Sequence, residues 1–392
     1  MSQITSPGTI AAGSKKILLV AGEASADLHG SHVVRELKRI DPSVHMYGIG
    51  GEELRRAGMA ILFDARDLSV VGIVEVVSRL PHIRRVFNTL KRQIEEAPPE
   101  LLILLDYPDF NLRLAAVAKK HRVPVLYYIS PQIWAWRQGR VKKIARIVDQ
   151  MAVVFPFEVP LYEKEGVPVQ FVGHPLLDRE IPAFDSAGSL EAFGMKPGWP
   201  VIGLLPGSRK SEIERLLPVM LAAAQRIQKE YPLAQFIIPV APGIRREEIE
   251  TWVAQKKVPV TVVENQLHRA LQVCSLALVA SGTATLETAL MKKPMIILYK
   301  ISFLTYLIGR LMIRVPCIGL ANIVAGTQVV PELIQADASP QRIAGEALAM
   351  LKSPERLAAM ERELGRIRER LGAPGASARV ARIAYDMLNK TS

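Results

Sequence analysis

Apolar residues in this chain fall into short β-branched runs separated by longer stretches of helical spacing. From Lys15 onward, residues 17–21, 101–105, 125–129, 151–155 and 170–172 read as strands, with helical periodicity between them. A second series follows at 201–205, 235–240, 260–263, 276–280 and 295–299. Runs this continuously apolar belong to strands covered on both faces, so the pattern predicts α/β domains built on parallel sheets. Between the two series lies a stretch rich in Pro, Gly and Ser, residues 182–200, which reads as the interdomain linker. The charged, Ala- and Leu-rich segment 353–389 reads as one or two surface helices. No internal repeat or low-complexity tract is evident.

Length and composition sharpen this. A chain of 392 residues exceeds one ordinary core and suits two domains. Its 49% hydrophobic and 22% charged content describes a globular protein, and no run of eighteen uncharged apolar residues predicts a spanning helix. Residues 1–14 are small and polar, a flexible tail rather than a secretion signal, so a cytoplasmic location is expected. Cys274 and Cys317 each lack a CxxC partner, which argues against a disulfide framework or a zinc site. The net charge of +12 calls for acidic partners: nucleic acid, an anionic membrane or phosphorylated substrates. Scattered cations and the absence of a recognition motif argue against nucleic acid.

In open α/β sheets ligands gather beyond the carboxyl ends of strands, so the loops after each strand carry the candidate chemistry. Leu204-Leu205-Pro206-Gly207-Ser208-Arg209-Lys210 joins an apolar run to a helical one. A glycine turn, a fresh helix N-terminus and a bidentate arginine suit a phosphate, although the spacing is not that of a P-loop. Ser281-Gly282-Thr283 also follows a strand and opens a helix, with Glu287 about one turn further in. Together the two loops suit one nucleoside diphosphate, its ribose held by the carboxylate. Asn322, in Gly319-Leu320-Ala321-Asn322, fits orienting a phosphate or capping. In the first half, Gly22-Glu23-Ala24-Ser25-Ala26-Asp27 lacks GxGxxG, and its carboxylates would repel a phosphate. Glu23 and Asp27 fit sugar hydroxyls or proton transfer, and Asp27 equally fits capping the helix that follows. Asp106, at the end of a fully apolar strand, is partly desolvated and fits a general base; Asp109 fits an N-cap. Trp134, Trp136 and Arg137 fit stacking a sugar and neutralising a phosphate, or sealing the domain edge. His174 fits a phosphate contact or a hydrogen bond at the hinge. No third donor supports a metal site beside the Asp106 and Asp109 carboxylates.

Two segments are oily for a soluble enzyme. Residues 70–94 keep apolar side chains near helical spacing with five cations interspersed and Pro81 between two pieces, and residues 300–314 repeat the mixture. Such helices suit a membrane interface, or else a core with solvated basic faces.

GEASAD from Gly22, LLDYPDFN from Leu104, SPQIWAWRQGRVKKI from Ser130, FVGHPL from Phe171, LPGSR from Leu205, SGTATLE from Ser281 and ANIVAG from Ala321, in this order, resemble the lipid A disaccharide synthases over nearly the whole chain after Lys15. Ala26 and Ala321 depart from the family's usual glycine and proline, and the tail is extra. The resemblance implies a GT-B fold of two Rossmann-like domains facing each other across a cleft. Residues 15–180 would be the acceptor domain, joined by a C-terminal helix at about 375–389, and 181–374 the UDP-sugar donor domain. It implies an inverting glycosyltransferase joining UDP-2,3-diacylglucosamine to 2,3-diacylglucosamine 1-phosphate, on the cytoplasmic face of the inner membrane, with no cofactor and no metal. Asp106, with Glu23 and Asp27, would supply catalysis. Gly207, Ser208, Arg209, Ser281, Gly282, Thr283, Glu287 and Asn322 would hold the donor, and Trp134, Trp136, Arg137 and His174 the acceptor. A homo-oligomer is compatible with the resemblance. The same fold also serves UDP-sugar 2-epimerases and polyprenyl-carrier transferases.

Overall fold

The computed structural model describes residues 15–68, 73–133, 138–180, 182–256, 258–302, 306 and 317–390. It divides into two units, residues 1–179 with 371–392, and residues 180–370.

In the first unit seven parallel strands form a sheet of order β3-β2-β1-β4-β5-β6-β7. They are β1 Lys16–Ala21, β2 His45–Gly50, β3 Ala60–Asp64, β4 Leu101–Leu105, β5 Val125–Tyr128, β6 Gln150–Val153 and β7 Val169–Phe171. The central strands β1 and β4 are apolar on both faces because helices cover both: Ile17 to Ala21 and Leu101 to Leu105 have no exposed surface. Four helices frame the site: α1 Ala24–Ile40, α2 Glu52–Arg56, α3 Ile73–Glu96 and α4 Pro108–Lys120. Val86, Leu90 and Ile94, at helical spacing on α3, join the core formed with Phe110, Leu114 and Tyr127.

The last helix, Ala376–Lys390, packs against α1. Its approach is fastened by Asp178, whose carboxylate accepts from the N–H groups of Gly375, Ala376 and Ser377 at 2.7, 2.9 and 2.9 Å. Arg379 adds bonds to the carbonyls of Val172, Ala373 and Pro374.

The second unit holds a six-stranded parallel sheet of order β10-β9-β8-β11-β12-β13. Its strands are β8 Val201–Leu205, β9 Gln235–Val240, β10 Val260–Glu264, β11 Leu276–Ala280, β12 Met295–Tyr299 and β13 Glu332–Ile334. Residues 182–200 are not a bare linker: they carry helix Ser186–Ala192, capped by Asp185, and belong to this unit. Each sheet reverses its winding once, between β1 and β4 in the first and between β8 and β11 in the second. These are the topological switch points where such sheets bind ligands.

Candidate active site

At the first switch point the register pairs Ala21 with Leu105, so Gly22-Glu23 and Asp106-Tyr107 leave adjacent strand ends. Asp106 and Tyr107 both have left-handed backbones, φ 47° and 45°. Each such residue costs about 1–3 kcal/mol and persists only where its surroundings dictate it. Here they do. The Asp106 carbonyl accepts from Tyr127 Oη at 2.6 Å and Asn111 Nδ2 at 2.7 Å, and Asn111 Nδ2 also donates to the Leu105 carbonyl. The Tyr107 ring lies over Gly22, where a Cβ would fall 2.7 Å from its Cγ and Cδ1; only glycine lets the two loops approach this closely. Burial, then the Glu23 and Asp109 carboxylates, push the Tyr107 hydroxyl above its ordinary pKa, so Glu23 shares this corner with Asp106 and Tyr107. Asp106 itself is half-buried.

Several candidates serve the framework instead. Asp27 is buried, and it caps α2 rather than α1. Its Oδ1 accepts from Gly51 and Leu54 N–H at 2.6 and 3.2 Å, and its Oδ2 from Glu53 N–H at 3.0 Å. With both oxygens engaged by backbone donors, Asp27 holds the α2 loop. Asp109 is in the first turn of α4, not at its cap, and pairs with Arg140 at 3.1 Å. His174 is not the phosphate contact its position suggests. It is buried, Nδ1 accepts from Leu176 N–H at 3.2 Å, and burial, with His29 alongside, pushes its pKa down to about 3, so it carries no charge near neutrality. Trp134, Trp136 and Arg137 lie outside the described residues, as do most of residues 300–314 and the segment 1–14.

At the second switch point Val279 pairs with Leu205, so the Gly207-Ser208-Arg209 and Ser281-Gly282-Thr283 loops emerge side by side. Gly207 has φ 114°, and Arg209 is the N-cap of helix Lys210–Glu230. Two backbone donors at the entrance to that helix are met by its own Glu212. Oε2 accepts from Ser208 N–H at 3.1 Å and Arg209 N–H at 3.2 Å, while Oε1 lies 3.4 Å from Arg209 Nη1. A carboxylate thus rests where the loop would receive an anion. Sequence reasoning passed over Glu212, although its position three residues after the N-cap is a recognisable capping signal. Thr283 opens helix Thr283–Leu290, and Glu287 on that helix approaches His268 Nε2 at 3.7 Å.

Asn322, the other expected phosphate contact, is buried and fully engaged. Nδ2 donates to the Val330 carbonyl at 2.9 Å and Glu332 Oε1 at 2.7 Å, and Oδ1 accepts from Val329 and Val330 N–H at 2.9 and 3.0 Å. An amide has two donors and two acceptor positions, so none is left for a ligand. Glu332 extends the knot to Ile318 and Gly319 N–H, and nothing in its local sequence marked it. Among the described residues no three His, Cys, Asp or Glu side chains form a metal ligand set.

The family model described as Lipid-A-disaccharide synthetase matches residues 17–384. The chain belongs to that family. It is 52% identical to the lipid-A-disaccharide synthase of Geobacter sulfurreducens, over 96% of this chain and 98% of that one. With its counterpart in Geobacter metallireducens the identity is 51%, over 97% and 99%. Among solved structures it is similar to the UDP-GlcNAc 2-epimerase from Neisseria meningitidis bound to UDP-GlcNAc, with TM-score 0.63 and 14% identity over 96% and 100% of the two chains, a likeness of fold alone. Membership of the lipid-A-disaccharide synthetase family makes the protein a glycosyltransferase of lipid A biosynthesis, on a GT-B fold of two Rossmann-like domains.

Proposed function

We propose that the protein transfers 2,3-diacylglucosamine from UDP to the 6-hydroxyl of 2,3-diacylglucosamine 1-phosphate, with inversion, the first unit taking the acceptor and the second the donor. The observation that supports this is a cluster of loops at each switch point, with the Glu23 and Asp106 carboxylates after the strands of the first sheet and the glycine turns at Gly207 and Gly282 after those of the second. Asp106 takes the proton of the attacking hydroxyl as its oxygen bonds to the anomeric carbon and the bond to UDP breaks. A single displacement from the opposite face inverts that carbon. Arg209 and the start of helix Thr283–Leu290 stabilise charge on the departing diphosphate. Glu287 holds the ribose, and Glu23 flanks the base. Asn322 acts at one remove, by shaping its loop.

Acylated substrates support a protein that works at the cytoplasmic surface of the inner membrane. Among the described residues no helix is long and apolar enough to cross a bilayer. The outer face of α3, however, groups Leu80, Pro81, Arg84, Arg85, Asn88 and Arg92 around a shallow groove. Leu80 is 44% exposed, and cations around an exposed apolar residue suit an anionic lipid surface.

The test is a mass-spectrometric assay with both diacylated substrates, in EDTA, on the wild type and Asp106→Asn. Disaccharide 1-phosphate and UDP should form together. The variant should lose at least about a hundredfold in kcat, the scale of a missing general base, with UDP affinity nearly unchanged. Epimerised donor without disaccharide, or a variant retaining most of its rate, contradicts the reading.

A further inference from the structure

We propose that Tyr127 and Asn111 are positioning residues for the reaction: they clamp the backbone carbonyl of Asp106 and thereby hold the left-handed turn that presents its carboxylate to the acceptor. This rests on the reading of Asp106 as the base. Two consecutive non-glycine residues at φ 47° and 45° would relax into extended backbone unless held. The carbonyl between β4 and α4 is gripped from two elements. Tyr127 reaches it from the neighbouring strand β5, where its register partner is Leu104, and Asn111 reaches it from the first turn of α4. Both residues are fully buried, so water cannot replace either donor.

The chemistry of each donor fits a fixed clamp. Burial, then the Asp106 carboxylate, raise the Tyr127 pKa well above its ordinary value, so the hydroxyl keeps the proton it donates. Asn111 Nδ2 bonds both Asp106 and Leu105 carbonyls, and turning the amide over would set Oδ1 against two carbonyl oxygens. In the orientation adopted, Oδ1 is buried with no hydrogen-bond partner. The amide is thus committed through its donors to the strand end. Tyr127 and Asn111 act through the backbone and do not touch the reacting atoms.

Tyr127→Phe removes one oxygen and leaves the ring in the core. Steady-state kinetics, UDP titration and thermal melting of the full chain should show kcat reduced by about ten- to a hundredfold, the penalty of a misplaced catalytic group, with both KM values and the UDP Kd within about twofold. Asn111→Ala should do the same and serves if the tyrosine variant folds poorly. A merely structural pair would lower the melting midpoint and the fraction of folded protein together, leaving kcat per folded molecule unchanged. That outcome, or kcat above half the wild-type value in both variants, overturns the clamp. Asp106→Asn run in parallel separates the two claims: if it keeps the wild-type rate, the assignment of the base fails instead.

Discussion

Asn322 and Asp27 illustrate how a buried polar side chain is committed by the backbone groups that converge on it. Asn322 makes four hydrogen bonds within its own unit and leaves no lone pair or N–H unused. Its replacement by alanine strands the Val329 and Val330 N–H groups and the Val330 carbonyl in a largely buried site, while Glu332 Oε1 keeps its bond from Gly319 N–H. Unpaired groups of this kind cost about 1–3 kcal/mol each, with partial relief from relaxation. Asn322→Ala is therefore expected to destabilise the second unit by about 2–4 kcal/mol, read as a fall of several degrees in its melting midpoint. A variant that melts with the wild type but binds UDP more weakly would return Asn322 to the ligand. These roles were illegible in the sequence for a definite reason. Asp27 is answered by N–H groups 24 to 27 residues away and Asn322 by groups 7 to 10 residues away, so only the folded chain shows that their valences are filled. Asp106 and Gly22 were more legible, because strand-end position alone nominates them.

Among elements, the N-terminus of helix Lys210–Glu230 has the clearest functional consequence. Glu212 occupies the two N–H groups and the guanidinium that the proposed donor site assigns to the diphosphate. Two unit charges about 4 Å apart near a protein surface repel by roughly 4 kcal/mol, so phosphate and carboxylate do not share the loop. On that proposed site, donor binding displaces Glu212. Glu212→Gln lowers that competition while keeping a side-chain acceptor for the cap, and UDP titration should show about three- to tenfold tighter binding, with part of the electrostatic gain lost to screening. Arg209→Ala should do the reverse. Weaker binding in Glu212→Gln would instead show that the carboxylate preorganises the loop, and an unchanged affinity in Arg209→Ala would remove the donor from this helix. The long buried strands were legible because a parallel sheet covered on both faces needs unbroken apolar runs. The exceptions are β2, whose HMYGIG carries two glycines, and the partly exposed edge strands β3 and β13. Edge and glycine-bearing strands carry a weaker apolar signal, and their pairing is set by neighbours distant in sequence.

At the scale of the molecule, two sheets wound alike, each with its ligand loops at one reversal, were foreshadowed by two series of apolar runs, but the reversals themselves are a matter of strand order that no local pattern records. The same long-range packing creates a set of neutral histidines in the first unit. Burial, reinforced by Arg179, pushes His29 down to about 4, and burial with His29 beside it pushes His174 to about 3; His32 and His45 shift the same way, again chiefly by burial. In the unfolded chain these imidazoles titrate near 6.5, so between that pH and the folded values the unfolded state binds more protons. Stability must then be fully present above about pH 6.5 and decline as the pH falls toward 4, each imidazole adding at most about 1.4 kcal/mol per pH unit. Carboxylates with lowered values, Asp41, Asp64 and Asp178, add losses of the same sign only as the pH falls below their ordinary range near 3.8. The interval from 6.5 to about 4.5 therefore isolates the histidines. Melting midpoints across that interval should fall steadily for the wild type and less steeply for His29→Gln, which removes one titrating group while keeping a polar side chain. A midpoint flat from pH 7 to 4.5, or an identical slope in the variant, would show that His29 is not held neutral by the fold, and with it that the packing of α1 beneath the returning C-terminal segment is looser than its burial indicates.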